Sequence, residues 1–263
     1  MSQLRLAIHG AAGRMGRRLV ALAAADENLA VVAALDRADH PRLGDDAGLL
    51  ASVGPLGVPL TAALDVEVDV LVDFSLPDAT ESIVAVCVEK AIPLVCATTG
   101  LRPEQTATLE RAAATIPLVW APNMSLAVNL TMKLVEVAAR ALVDQDADVE
   151  ILERHHRFKE DAPSGTALKF GQIVAGVMGQ TAHRHGREGR PGRRPHGEIG
   201  YHAVRVGDNP GEHTIVFAML GEMVELTVRA TNRDCYALGA LAAARFLAGK
   251  PPGRYAIADV LGL

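Results

Sequence analysis

Leu4-Arg5-Leu6-Ala7-Ile8-His9-Gly10-Ala11-Ala12-Gly13-Arg14-Met15-Gly16 decides how the first half of this chain folds. An apolar run of strand length feeds three glycines spaced G-x-x-G-x-x-G, and a helical pattern follows from about Arg14 to Ala25. Glycines in such a turn let the backbone approach a bound pyrophosphate, whose charge is favoured by the N–H groups at the helix start. The spacing differs from G-x-G-x-x-G, so a tight structural turn is the competing reading. The next apolar run, Val31–Leu35, ends in Asp36-Arg37, and Asp36 follows Gly16 by the interval at which a dinucleotide domain places an acid against the adenosine ribose. Asp36 alone favours NAD. Arg37 can stack on adenine or grip a 2′-phosphate, which leaves both NADH and NADPH open; a solvated charge pair is the alternative.

Working outward, the same alternation continues. Val70–Phe74, Leu94–Ala97 and Leu118–Trp120 read as strands, with helices at about Pro77–Lys90 and Pro103–Thr115. The strands are nearly continuously apolar, as expected where helices cover both faces, and the βαβ order predicts an α/β, Rossmann-like, doubly wound parallel sheet. Asp73-Phe74-Ser75-Leu76-Pro77 and Cys96-Ala97-Thr98-Thr99-Gly100 each end a strand with small polar residues, and Ala121-Pro122-Asn123-Met124-Ser125 sits similarly, at the carboxyl edge where ligands bind in such sheets. Asp and Thr are also ordinary helix caps.

Beyond Ser125 the pattern changes. A helix is expected over Leu126–Leu142 and a strand over Asp148–His156. Thr214–Leu220 and Met223–Ala230 read as a hairpin, predicting a second α+β domain with an antiparallel or mixed sheet. An alanine-rich helix, about Cys235–Ala248, and a short tail after Pro251-Pro252-Gly253 follow. His183–Gly197, rich in Arg, Gly, His and Pro, reads as a long mobile loop. Its histidines, His183, His185 and His196, fit a solvated basic loop better than a metal site. Arg187, Arg194 and Arg205 are candidates to reach an anionic substrate or a neighbouring subunit.

Composition narrows the classes. The 263 residues are 49% hydrophobic, which argues against disorder, and 26 Lys and Arg against 31 Asp and Glu give net −5, which argues against a general nucleic-acid binder. No apolar run reaches membrane-spanning length and the N-terminus lacks a signal-peptide core, so a cytoplasmic location is expected. Cys87, Cys96 and Cys235 are odd in number and widely spaced, suggesting neither disulfides nor a zinc-thiolate site.

The densest chemistry lies in Glu153-Arg154-His155-His156-Arg157-Phe158-Lys159-Glu160-Asp161-Ala162-Pro163-Ser164-Gly165-Thr166-Ala167. Two histidines and a lysine precede Ser164-Gly165-Thr166, which opens a helical pattern whose N–H groups would cradle a carboxylate. Adjacent strand residues face opposite sides, so His155 and His156 should differ in role. Histidine supplies a proton near neutral pH, and Lys159 a charge and three donors. A paired-histidine metal site lacks a third ligand at characteristic spacing, so no metal is assigned.

These segments together resemble the dihydrodipicolinate reductase family over nearly the whole chain. Glu153-x-His155-His156-x-x-Lys159-x-Asp161-Ala162-Pro163-Ser164-Gly165-Thr166-Ala167 is the most specific stretch, supported by Thr98-Thr99-Gly100, Asn123-x-Ser125, Gly207-Asp208 and Gly211-Glu212-His213-Thr214. The resemblance implies a dinucleotide-binding domain over 1–125 completed by 233–263, and a substrate-binding and oligomerisation domain over 126–232 that makes a homotetramer. Hinges near Leu126 and Asn232 would let the domains close. It implies hydride delivery from NADH or NADPH to C4 of a conjugated cyclic imine dicarboxylate, in diaminopimelate and lysine biosynthesis, with no nucleic acid or membrane involved.

By the same resemblance His155 is the general acid and Lys159 the second catalytic donor, while His156, Lys159, Ser164, Gly165 and Thr166 hold the substrate. Gly10, Ala11, Ala12, Gly13, Arg14, Met15, Gly16, Asp36, Arg37, Ala97, Thr98, Thr99, Ala121, Asn123 and Met124 line the cofactor. The chain departs from the family pattern at Ala97 and Ala127, where glycine is common, and at Asp36, where Glu is frequent. A related reductase of another small acid, and a dinucleotide sensor without turnover, are the rival readings; the His155–Thr166 run argues against both.

Overall fold

The computed structural model describes residues 3–263; Met1 and Ser2, at the start of the expected first domain, lie outside the described residues. Its strands are β1 (Leu4–His9), β2 (Leu29–Leu35), β3 (Leu60–Thr61), β4 (Val70–Asp73), β5 (Leu94–Cys96), β6 (Pro117–Trp120), β7 (Asp148–His155), β8 (Ala182–His185), β9 (Glu198–Arg205), β10 (Glu212–Met219), β11 (Glu222–Arg229) and β12 (Gly253–Tyr255). Its helices are α1 (Arg14–Ala24), α2 (Ala47–Leu50), α3 (Thr80–Glu89), α4 (Pro103–Ala112), α5 (Leu126–Leu142), α6 (Gly165–Met178), α7 (Asp234–Leu247) and α8 (Ile257–Val260). The chain divides into two compact units: one runs to Leu126 and resumes over Asp234–Leu263, and the other is Ala127–Arg233.

The first unit is built on a seven-stranded parallel sheet in the order β12-β6-β5-β4-β1-β2-β3. From β1 the chain winds outward through β2 to β3, then returns beside β1 as β4 and winds the other way. The switch between β1 and β4 opens a crevice at their carboxyl ends, the place where such sheets take ligands. Apolar layers cover both faces. Ile8, Leu19, Val72 and Leu241 share one, and Ala7, Leu71, Cys96 and Leu109 the other.

The second unit is a five-stranded mixed sheet, β11-β10-β7-β9-β8, with parallel pairs β7–β9 and β8–β9 and antiparallel pairs β7–β10 and β10–β11. Val149, Ile151, Ile215, Phe217 and Tyr201 from one sheet face pack with Val135, Phe170 and Val174 of α5 and α6. The opposite face carries Leu152, Thr214, Val216, Glu225 and Thr227.

Several expectations change. Pro77–Lys90 opens with a 3₁₀ turn over Pro77–Ala79 before α3; proline suits a first turn, and neither Leu76 nor Ala79, the residues ahead of the two helical segments, supplies a side-chain cap. The expected mobile loop starts as strand β8, whose polar Ala-His-Arg-His sequence carries no apolar alternation and is ordered by pairing with β9. β9 itself was not read as a strand. The expected tail supplies β12, an edge strand beside β6, and α8. Among the described residues no helix is long and apolar enough to cross a membrane.

Candidate functional site

The glycine turn sits at the end of β1. Gly10 has φ +73°, and a Cβ there would lie 2.8 Å from Phe74 O; a Cβ on Gly16 would lie 2.0 Å from Gly10 O. The turn therefore closes only with hydrogen at both positions. Gly13 begins α1 without a side-chain cap, so the first amides of the helix, those of Arg14 and Met15, are left for an external anion. The Ala11 amide is committed to Leu35 O at 3.0 Å, and the Ala12 amide to Asp36 Oδ2 at 3.1 Å. Asp36 thus folds back over the turn, and its other oxygen takes the Arg37 amide at 3.0 Å. Arg37 is exposed and pairs with Asp39 at 3.2 Å.

At the edge of β4 and β5, Asp73 is fully buried. Its Oδ1 accepts from His9 Nδ1 at 2.8 Å and from the Ser75 amide at 3.1 Å, and its Oδ2 accepts from the Thr98 hydroxyl at 2.8 Å. Burial pushes this carboxyl up, but the His9 bond and charge, with the smaller donors, outweigh it and hold the group below the usual range. Burial, then the Asp73 charge, pushes the neighbouring Cys96 thiol up to about 12. Ala97 and Ala121 are buried behind this edge, and the Met124 side chain belongs to the core. Thr99 and Gly100 form the loop beyond β5, and the Asn123 side chain caps the Ser125 amide at 2.9 Å.

In the second unit, β7 ends at His155, and alternation puts Glu153 and His155 on its helix-covered face. Glu153, 1% exposed, takes His155 Nδ1 at 2.5 Å. It also takes both guanidinium ends of Arg205, at 2.8 and 2.7 Å, and the Ser164 amide at 3.1 Å. Burial raises the Glu153 carboxyl, and the bonds from His155 and Arg205 overcome it, bringing the group down to about 2. An ionised carboxylate accepts only, so His155 Nδ1 carries hydrogen toward it. The other ring nitrogen, Nε2, faces Gly211, where a Cβ would stand 3.0 Å away. His213 packs edge-on to His155 at 5.2 Å and lies 3.0 Å from Ser164 Oγ; burial, then the His155 charge, lowers it to about 4.

His156 lies past the strand end, with Nδ1 buried and without a partner, as is Arg205 Nε. Burial and then the charges of Arg233, His155, Lys159 and Arg205 lower the His156 pKa, which marks a positive field around it. Lys159 Nζ is held by Asp161 at 2.7 Å. Ser164 caps α6, its Oγ accepting the Ala167 amide at 3.2 Å, so Gly165 and Thr166 open a fourteen-residue helix with their amides at the positive end.

The structure thus gathers His155, Ser164 and the start of α6 around Glu153, and brings Asp36 to the glycine turn. It does not leave Arg187, Arg194 or Arg205 to reach outward. Arg187 pairs with Glu150 and Glu198, and Arg194 with Asp148 and Glu150, because the loop after β8 folds back on the sheet, while Arg205 anchors Glu153. His183 bonds and His185 stacks on Tyr201, while His196 pairs with Asp146. Sequence reading missed Glu153 and Arg205 as the setting of His155, His213 beside it, and the His9–Asp73 pair. The i, i+2 spacing of Glu153 and His155 was the available signal; the others depend on strand register.

Family models described as dihydrodipicolinate reductase, N-terminus, and dihydrodipicolinate reductase, C-terminus, match residues 4–124 and 127–261. A 4-hydroxy-tetrahydrodipicolinate reductase of Rhodopirellula baltica is 57% identical over 270 residues, covering 99% of this chain and 96% of its own length. One from Alkalilimnicola ehrlichii is 49% identical, covering 98% and 99%. Among solved structures, a dipicolinate-bound dihydrodipicolinate reductase from Paenisporosarcina sp. TG-14 superposes with a TM-score of 0.78 at 28% identity, covering 97% of each chain. An amine dehydrogenase from Mycobacterium smegmatis, 13% identical with a TM-score of 0.66 and covering 97% of this chain and 95% of its own, shares the fold.

Proposed function

The chain belongs to the dihydrodipicolinate reductase family, and from that membership we propose that it reduces 4-hydroxy-tetrahydrodipicolinate to tetrahydrodipicolinate in diaminopimelate and lysine biosynthesis. The first unit is the dinucleotide-binding domain and Ala127–Arg233 the substrate-binding and oligomerisation domain. The residues fit a dinucleotide: a turn with no room for a Cβ, an uncapped helix start, and an acid folded over it. A reduced nicotinamide dinucleotide, NADH or NADPH, supplies the hydride when bound there.

The remaining work falls to side chains of the second unit. His156, Lys159 and the amides of Gly165 and Thr166 hold the substrate's two carboxylates, offering positive charge and helix-start donors where a dianion needs both. Loss of water from the substrate leaves a conjugated cyclic imine. Hydride arriving at its C4 leaves carbanion character on the adjacent carbon, which must take a proton. His155 delivers it from Nε2, because Nδ1 is committed to Glu153, and Arg205 keeps Glu153 ionised in that task. Lys159 stabilises the negative charge as it develops. The observation that carries this reading is the buried Glu153–His155 pair beside the α6 helix start.

The protein works in the cytoplasm as a homotetramer assembled through the sheet face bearing Leu152, Thr214, Val216 and Thr227, which support apolar and β-type contacts. Sedimentation of the purified chain tests the assembly; a monomer at micromolar concentration refutes it. The activity is tested by loss of reduced-nicotinamide absorbance with freshly generated 4-hydroxy-tetrahydrodipicolinate, run separately with NADH and NADPH. Rapid oxidation with either is expected, and none with both cofactors bound would favour a reductase of another small acid.

A further inference from the structure

His9 belongs neither to the glycine turn proper nor to the anion cradle. It ends β1, and the sheet register sets it in one row with Leu35, Asp73, Cys96 and Trp120 along the carboxyl edge. Ala7, Leu71 and Leu94 lie beneath this row, so His9 and Asp73 form the polar rim of an apolar layer. His9 is 9% exposed and Asp73 0%, which removes water as a partner for the carboxylate.

A carboxylate so placed persists only if protein donors replace its hydration. Four reach it: His9 Nδ1 at 2.8 Å, the Ser75 amide at 3.1 Å, the Thr98 hydroxyl at 2.8 Å and the Cys96 thiol at 3.7 Å. His9 alone among them can carry a positive charge. Ser75 and Thr98 are the heads of the two loops that leave β4 and β5, and Thr98 Oγ1 also lies 3.5 Å from Ser75 O, tying those loops together. The Phe74 carbonyl in the first of them packs against Gly10, at the turn.

We propose that His9 is a positioning residue for the dinucleotide: through Asp73 it fixes the Ser75 and Thr98 loops against which the nicotinamide ribose and carboxamide lie. Without a donor at residue 9 the carboxylate turns toward whatever donors remain, and the two loop heads lose their common anchor. The proposal rests on the reading of the first unit as the dinucleotide-binding domain.

The test uses the full chain with His9→Leu, which keeps bulk and removes the donor, and His9→Asn, whose side-chain amide can replace Nδ1–H. NADH affinity is read by fluorescence titration, dipicolinate affinity by calorimetry, and KM separately for each substrate. His9→Leu is expected to weaken NADH binding and raise its KM about ten-fold, the loss of one charge-assisted contact, while dipicolinate affinity stays within about two-fold. His9→Asn should restore NADH affinity to within about three-fold of the unaltered protein. If His9→Leu does not fold, His9→Ala removes the same donor without apolar bulk at the strand end and is held to the same change of about ten-fold. Unaltered NADH affinity in the folded variant, or an equal loss of both ligands, overturns the proposal. An unaltered chain that binds neither NADH nor NADPH overturns the functional reading itself, and this inference with it.

Discussion

Two carboxylates in this chain are buried against histidines, and their other partners differ. Asp73, at the edge of the parallel sheet, has His9 and otherwise neutral donors. Glu153, on the mixed sheet, has His155 and both ends of the Arg205 guanidinium. In the first pair the histidine is the one available counter-charge, so its service is to the carboxylate. In the second the carboxylate is already neutralised by arginine, so the carboxylate serves the histidine, fixing its ring and leaving Nε2 to act. On the proposed reading one motif positions loops in one unit and poises a proton in the other, and the deciding residue is the third partner.

The strongest way to break this contrast is at His155. His155→Ala should lower kcat by about 10²–10⁴-fold, as expected for a lost general acid, with NADH affinity unchanged by fluorescence titration. Full activity across pH would remove His155 from that role. Glu153→Gln keeps the shape but not the charge, leaving Arg205 without its ionised partner. It should cost about 3 kcal/mol of stability in urea denaturation and lower kcat more than KM. A change in KM alone would mean that Glu153 does not set the His155 proton.

Lys159→Met tests the cradle rather than the pair. Loss of a charged donor should raise the KM for the dicarboxylate and the Kd for dipicolinate about 10–100-fold, with NADH binding unaffected in the same titrations.

Acid titration sharpens the comparison with a sign that can be worked out. The folded protein holds His213 neutral down to about pH 4, whereas an unfolded histidine takes its proton near 6.5. Stability is therefore lost as pH falls from 6.5 through 4, by up to about 3 kcal/mol. Glu153 acts lower: its stabilisation is present above the ordinary glutamate value of 4.5 and disappears as pH falls toward about 2. Thermal melts of His213→Gln should flatten the upper window and those of Glu153→Gln the lower one; unchanged slopes would contradict both assignments. The smallest effect is expected at exposed Arg37: Arg37→Ala should shift the ratio of NADPH to NADH KM a few-fold, and no shift would place the 2′-phosphate elsewhere.

Much of this was legible before folding. The β1 turn, the Asp36 interval and the apolar runs named the parallel sheet, because fully covered strands must be apolar and tight turns must be glycine. α5 and the β10–β11 hairpin were read closely for the same reason of periodicity. β8 and β12 were not, since an edge strand made of Ala-His-Arg-His or Gly-Arg-Tyr is ordered by its neighbour rather than by its own pattern. The arginines after β8 stayed open in the sequence for a related reason: their partners, Asp148 and Glu150, lie some forty residues away.

The sequence by itself determined the two sheet classes, the glycine turn, the family and the run from Glu153 to Ala167, all features written in local spacing. Only the tertiary structure decided which histidine nitrogen is committed, that Arg205 faces inward, and that His9 meets Asp73. Those facts depend on strand register, which brings His155 level with Arg205, Glu153 with His213, and His9 with Asp73. Register is a property of paired strands, and no single segment carries it.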